Sequence, residues 1–471
     1  MEDDVDILVA RRGSVIAPAG CGKTELISTS LRGATDGKPA LVLTHTNAGV
    51  HALELRLRAK GVPRSSFRVA TIDNWSLRIA TMFPSTSGFT PQQGRRRTTP
   101  DYGKQKDCAL AVLKSGILDD PLTCTYSRLI VDEYQDCTLR QHEIVVEIAR
   151  ALPTVVLGDP LQAVFGWPGN TLVGWKDHVE SAFPRIGVLR KPWRWINAGT
   201  QPFGEWLIGI RKTLYAGEPL DLSQAPPEVV WVPVKGPKDI EARRQVCSVR
   251  AEGGGSVLII ADGKEKEVQR NMACITPGAS TVEAVDLKDL MTFAGNFVPS
   301  ETGSLEQLLL FASELITKVD QAGLKLRLAS LQKMTARTPA TPVEAASLHY
   351  LSSPSFENAK RVLEALAAKD GARIYRPAIF YPCLDAMRLM TKGQGDFYDA
   401  AVSVRERQRH EGRRLPRHAV GSTLLLKGLE ADVAIILNPE KMTKEHLYVA
   451  LTRGAKSVFI CSETSTVHLK Q

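Results

Sequence analysis

No two of the eight cysteines form a C-x-x-C pair; they are scattered at positions 21, 108, 124, 137, 247, 274, 383 and 461. Neither a zinc site nor a disulfide framework is expected from that spacing, and the cysteines read as reduced thiols. No apolar run approaches the roughly 18 residues needed to span a bilayer. The acidic start Met1-Glu2-Asp3-Asp4 lacks the character of a secretory leader. These absences predict a cytoplasmic protein. Internal repeats and long low-complexity tracts are also missing, leaving 84–104 and the EGGGS run at 252–256 as the expected flexible joints.

What is present points to a large basic protein. At 471 residues the chain is long enough for about three or four domains and can bury large cores without covalent staples. Its formal charge of +9 favours a polyanionic partner.

The stretch VIAPAGCGKTEL, residues 15–26, carries the first chemistry. An apolar run through Ala17 leads into glycines at 20 and 22, then Lys23 and Thr24 open a helix. In a strand–loop–helix of this kind, backbone N–H groups and the helix N-terminus cradle phosphates, the lysine adds a point charge and the hydroxyl ligates Mg²⁺. The nucleotide-cradling run is therefore Ala19, Gly20, Cys21, Gly22, Lys23, Thr24 and Glu25. Ala17 stands where the general pattern has glycine.

The second element is RLIVDEYQD, 128–136, an apolar strand ending in two acids. Asp132 and Glu133 are expected at the carboxyl edge of a parallel sheet, where doubly wound folds bind ligands. There Asp132 would hold Mg²⁺ beside Thr24, and Glu133 would polarise an attacking water. The combination predicts nucleoside triphosphate hydrolysis assisted by Mg²⁺; ATP as the nucleotide is implied by the resemblance that follows.

Together, Ala17–Thr24 and Asp132-Glu-Tyr-Gln-Asp136 resemble the superfamily 1 helicases of the UvrD/Rep type, and further segments follow in that family's order. LVLTHTNAGVHALELRL (41–57) and TIDNW (71–75) resemble its early DNA-contacting motifs. VVLGDPLQAVFGW (155–167), KPWRW (191–195), KGLEADVAII (427–436) and LYVALTRGAKSV (447–458) resemble the later ones. The resemblance implies two RecA-like P-loop motor domains with parallel sheets, each carrying a small, mainly helical insertion. It assigns Gln162 to γ-phosphate sensing, Arg194 and Arg453 to the charge that develops on the transferred phosphoryl group, and Glu430 to the ribose. It also implies nucleic-acid contacts at Thr44, Thr46, Asn47 and Thr71, with Phe165 and Trp167 offering faces on which bases stack. His45 replaces the family's usual Phe, and Trp75 reads as packing.

Several positions depart from the family pattern. No glutamine precedes the phosphate loop to read adenine, Pro168 follows Trp167 where the family has Arg, and Leu424 stands where it has His. The compact size and altered motifs resemble helicase-like proteins encoded beside an OLD-type nuclease, as in Gabija antiphage systems. That resemblance implies a defence role and a nuclease partner, besides single-stranded or partly duplex DNA.

The motif order predicts six segments: 1–75 and 125–200 as motor domain 1, 76–124 as a reduced accessory insertion, 201–303 and 411–471 as motor domain 2, and 304–410 as a helical insertion. Ser304–Gln307 and Thr341–Glu344 read as capping boxes. Arg95, Arg96 and Arg97 in the first insertion, and the strip VRERQRHEGRRLPRH at 404–418, are either phosphate-binding or solvated. The resulting expectation is an ATP-dependent single-stranded DNA translocase or helicase, moving 3′ to 5′ if it behaves as the family does. Two rival readings stand beside it: a DNA- or nucleotide-sensing ATPase subunit that regulates a nuclease without unwinding, and an RNA-directed motor.

Overall fold

The computed structural model describes residues 5–33, 37–90, 102–166, 169–236, 239–391, 393, 395–411 and 416–470. Arg95–Arg97, Trp167, Pro168 and residues 412–415 of the basic strip lie outside the described residues. The chain divides into two compact units, the first Met1–Val229 with Glu440–Ser457 and Thr466–Gln471, the second Val230–Pro439 with Val458–Ser465. These units are drawn by packing, whereas the six segments expected above are drawn by motif. The two divisions therefore part company at 201–229, 440–457 and 466–471, which pack with the first unit. Each unit is built on a six-stranded sheet, giving two parallel-sheet α/β domains.

In the first unit the strands are β1 (Arg12–Ile16), β2 (Ala40–Thr44), β3 (Phe67–Thr71), β4 (Leu129–Val131), β5 (Thr154–Gly158) and β6 (Arg185–Val188). They lie in the order β3-β2-β4-β5-β1-β6, and every ladder from β3 to β6 is parallel. Helices cover both faces, so β2 and β5 are buried at every position. Alternation sorts their side chains. Leu41 and Leu43 enter one core with Ile72, Trp75 and Ile144, while Val42 enters the other with Ile27, Leu31 and Leu57, as a pleated strand requires. Parallel pairing places the carboxyl ends Ile16, Thr44, Thr71, Val131 and Gly158 along one edge.

The insertion at 76–124 is not an independent core. Its helices Tyr102–Lys114 and Asp119–Thr125 contribute Leu110, Val112, Leu113 and Leu122, and the turn between them Leu118, to the same cluster as Leu41, Leu129 and Val131. A short strand β7 (Leu220–Asp221) also belongs to this unit.

The second unit contains β8 (Val229–Pro233), β9 (Val257–Ala261), β10 (Ser280–Thr281), β11 (His418–Ser422), β12 (Ala431–Ile436) and the latter part of β13 (Gly454–Ser462), ordered β10-β11-β9-β12-β13-β8. The strand β9 is followed by the helix Lys266–Ile275. The last strand, β14 (Thr466–Val467), pairs antiparallel with β7 in the first unit.

The helical body of the second unit starts at Lys288–Asn296, ahead of the expected 304, and continues to Phe397–Glu411. One apolar cluster from Leu287 to Val404 holds it together. The Phe293 and Phe311 rings stack with centroids 3.9 Å apart. Thr341–Glu344 forms the capping box read from the sequence, but Ser304 does not cap: Gly303 occupies that position. The Ser304 hydroxyl instead donates to Pro299 O at 2.8 Å and accepts from the Tyr350 hydroxyl at 2.9 Å. A buried tertiary partner has outcompeted the local one.

Where this body meets the sheet, Arg376 is wholly buried. Its Nε donates to Glu283 Oε1 at 2.7 Å, another nitrogen pairs with Asp289, and Glu314 approaches to 3.8 Å. Burial pushes the Asp289 carboxyl up, but Arg376 and then Arg270 outweigh it and hold the carboxyl below its ordinary value. Replacing Arg376 by Met should destabilise this unit by about 3 kcal/mol, the low end for breaking a buried pair because the carboxylates keep some access to water. Urea unfolding reads that loss, and Glu283→Gln should cost less in the Arg376→Met background than alone. The sign with pH follows from the depressed carboxyl: stability is lost as pH falls below the ordinary aspartate value, about 3.9. Arg376→Met should blunt that loss.

Candidate nucleotide site and strand edge

The phosphate loop leaves β1 and enters the helix Lys23–Gly33. Gly20 and Gly22 have φ of +69° and +87°, which side-chain-bearing residues adopt only at a cost. Space forbids a side chain at Gly20 as well: a Cβ there would lie 2.6 Å from the Trp195 ring and 2.9 Å from Arg194 Cβ. The loop is thus moulded against the helix Trp193–Ala198, and Arg194 N donates to Gly20 O at 3.1 Å.

Lys23 Nζ lies 2.9 Å from Asp132 Oδ1 and also pairs with Glu133 Oε1. Burial works against the ammonium, yet Asp132 and then Glu133 more than compensate and hold its pKa above the ordinary value. Both carboxylates follow β4 directly, at the edge the sequence predicted, and Glu133 sits in the left-handed region with φ 55°. Arg56 Nη1 reaches Thr24 Oγ1 at 3.5 Å, and Lys60 pairs with Glu25 at 2.7 Å. Ala19 and Cys21 are buried in the loop.

This cradle fits a nucleoside triphosphate with a divalent ion. Two glycines leave room against Trp193 and Trp195, and hydroxyl, ammonium and two carboxylates form a donor set suited to Mg²⁺ and phosphate. Such an ion would supply charge neutralisation at the phosphates.

A polar network continues from Glu133. Gln135 Nε2 donates to Glu133 Oε2 at 2.6 Å, and Gln135 Oε1 accepts from Asp159 N at 3.0 Å. Asp159 Oδ2 accepts from Gln162 Nε2 at 2.9 Å, so Gln162 joins the same network as Glu133. Arg211 grips both Asp159 oxygens, at 2.9 and 2.8 Å, and donates to the Tyr448 hydroxyl at 2.7 Å. Gln135, Asp159, Arg211 and Tyr448 escaped the sequence reading. The first two stand just past apolar strands inside quoted motifs, a signal that could have found them.

Arg194 and Arg453 come together on one residue. Arg194 Nη1 donates to Thr452 O at 2.7 Å, and Arg453 Nη2 donates to Thr452 Oγ1 at 2.9 Å. Arg453 is buried and its Nε also donates to Val449 O at 2.8 Å. By packing, Arg453 belongs to the first unit, whereas motif order expected it in motor domain 2. Glu430 is exposed in the second unit, one residue ahead of β12.

The remaining candidates line the ends of β2 and β3. Thr44 is 2% exposed, so its side chain is largely enclosed. Thr46 and Thr71 spend their hydroxyls as N-caps, accepting from Gly49 N and Asn74 N. Asn47 Oδ1 accepts from Asn74 Nδ2 at 3.1 Å, which ties the two helix starts together. Phe165 packs against His45 with centroids 5.3 Å apart. Trp75 lies in the core.

Gly20→Ala should therefore be poorly tolerated. The left-handed backbone costs about 1–2 kcal/mol and overpacking about 1–3 kcal/mol. A lowered unfolding midpoint together with weakened binding of a fluorescent ATP analogue is the expected result; unchanged values for both would contradict the close approach to Trp195.

Residues 95–174 match the family model described as UvrD/REP helicase N-terminal domain. No curated protein matches the chain. Among solved structures, the arterivirus nonstructural protein 10 helicase in complex with DNA is 14% identical over 54% of this chain and 48% of its own, with a TM-score of 0.27. Pif1 helicase from Candida albicans is 12% identical over 96% of this chain and 92% of its own, at 0.39. Pif1 helicase from Bacteroides, in complex with ADP-AlF3 and single-stranded DNA, is 13% identical over 50% and 52%, at 0.22. The chain thus spans about half the length of the first and third of these. The matched segment contains Asp132, Glu133 and Gln162. That segment is similar to the N-terminal domain of UvrD/REP helicases.

Proposed function

We propose that this protein is an ATP-driven motor on single-stranded DNA, with Mg²⁺ as the metal. The observation that carries the reading is the placement of Lys23 between Asp132 and Glu133 at the carboxyl edge of the first sheet, with Glu133 tied through Gln135 and Asp159 to Gln162. Thr24 and Asp132 hold the metal, Glu133 orients the attacking water, and Gln162 reports the γ-phosphate toward the strand ends at Thr44, Thr46, Asn47 and Thr71. Arg194 and Arg453 neutralise charge on the transferred phosphoryl group, and Glu430 contacts the ribose. Phe165 and Trp167 stack on bases, with translocation running 3′ to 5′ as in the UvrD/Rep type. An OLD-type nuclease is the partner that the compact form and altered motifs suggest, in antiphage defence.

One observation favours the second reading, a gated regulatory ATPase. Arg194 and Arg453 both spend donors on Thr452, and Arg453 also on Val449. Those bonds compete with a phosphate for the same guanidinium groups. A low basal rate follows from either reading; release by DNA distinguishes the motor from a partner-gated sensor.

Steady-state ATP hydrolysis with and without single-stranded DNA is the test. We expect strong stimulation by DNA, with Glu133→Gln lowering kcat by about a hundredfold or more while nucleotide still binds. Lys23→Ala should remove both binding and turnover. Hydrolysis indifferent to DNA moves the assignment to the gated sensor, stronger stimulation by RNA to an RNA motor, and a strand-displacement assay with tailed duplexes reads the polarity.

A further inference from the structure

Arg211 lies outside every motif discussed above, yet it is 9% exposed and faces a carboxylate that is 1% exposed. A purely stabilising role needs no such pair, because apolar side chains of the same volume hold a core at least as well as a buried ion pair. What the pair adds is direction. Two guanidinium nitrogens meet two carboxylate oxygens, a geometry that fixes the Asp159 side chain in its plane.

Asp159 links Arg211 to Glu133 through its own main chain: the guanidinium anchors its carboxylate, and its backbone N–H meets Gln135. Asp159 offers a backbone N–H, so Gln135 must turn its carbonyl oxygen toward it. The amide nitrogen is then left facing Glu133 Oε2. A flipped Gln135 would set donor against donor at one end and acceptor against carboxylate at the other. Gly158 makes room for this: a Cβ there would stand 2.5 Å from Gln135 Oε1. With Oε2 held by Gln135 and Oε1 by Lys23, both oxygens of Glu133 are placed. On its other side Arg211 donates to the hydroxyl of Tyr448, on the helix Lys444–Leu451 that leads to Arg453.

We propose that Arg211 is a positioning residue for ATP hydrolysis, fixing the Glu133 carboxylate through Asp159 and Gln135 and the approach to Arg453 through Tyr448. The role rests on the ATPase reading above. Arg211 touches no reacting atom; it sets where two groups that do react are held.

The test is steady-state ATPase kinetics of the full chain with single-stranded DNA, alongside direct binding of a fluorescent ATP analogue and thermal unfolding. Arg211→Lys keeps the charge but loses the planar fork, and Tyr448→Phe removes one hydroxyl. For Arg211→Lys we expect kcat to fall by about ten- to a hundredfold, the cost of displacing a reacting group by about an ångström. Analogue affinity and KM should stay within about twofold, the signature of an interaction that matters after binding. Tyr448→Phe should lower kcat severalfold with the unfolding midpoint unchanged. If Arg211→Lys fails to fold, Tyr448→Phe decides. Unchanged kcat in the folded variants, or a parallel loss of binding and turnover, overturns the positioning role and leaves the ATPase reading intact. A wild-type chain that binds the analogue but never hydrolyses ATP overturns both, and is recognised before any variant is made.

Discussion

The first unit is organised by the need to neutralise one ammonium. Lys23 is mostly enclosed, and a buried cation without a counter-charge costs several kcal/mol. Two carboxylates meet it, and both arrive from a different strand of the same sheet. That meeting requires the β1 and β4 carboxyl ends to be level with one strand, β5, between them, which the parallel ladders of β1 and β4 to β5 enforce. A slip of one residue would turn Val131, and with it the acids after it, to the other face of the sheet. The apolar cores on the two faces resist that slip. Burial thus supplies the stability, while the charges require a particular register.

What the sequence made legible follows from what is local. Continuous apolar strands, the glycines around Lys23 and the acids after Val131 can each be read within a few residues, and each is found where expected. In the helical body Leu305, Leu308, Leu309 and Ala312 recur at the spacing of helix packing, every third or fourth residue, which is also a local signal. Ser304 shows the limit of local pattern. The S-x-x-Q spacing is there, but Pro299 and Tyr350 take the hydroxyl, and Tyr350 lies 46 positions away.

The less legible part of the candidate site is polar and long-range. Arg211 reaches Asp159 across 52 positions and Tyr448 across 237. Neither partner has a periodicity that would announce the other. Arg194 and Arg453 were legible as residues through motif resemblance, but their convergence on Thr452 was not. The segment 440–457 joins the first unit through contacts such as Trp195 Nε1 to Gly454 O at 3.0 Å and Thr200 Oγ1 to Ala455 O at 2.7 Å. Order along the chain could not supply those contacts.

The same device recurs in the second unit. Arg376 binds Glu283 and Asp289 where the helical body meets the sheet, much as Arg211 binds Asp159 where a helix meets a strand end. In both places the residue is arginine. A lysine could neutralise the charge, but its ammonium is a point donor, free to rotate about it, whereas a guanidinium presents several N–H groups in one plane. At a joint between elements, that plane specifies an angle as well as a contact. Apolar packing at the same joint would tolerate small rotations at little cost, because dispersion and burial are nearly indifferent to direction. The buried arginines therefore fix orientation, at the sheet edge where Glu133 stands and at the base of the helical body, while the apolar clusters on either side provide the free energy that keeps them buried.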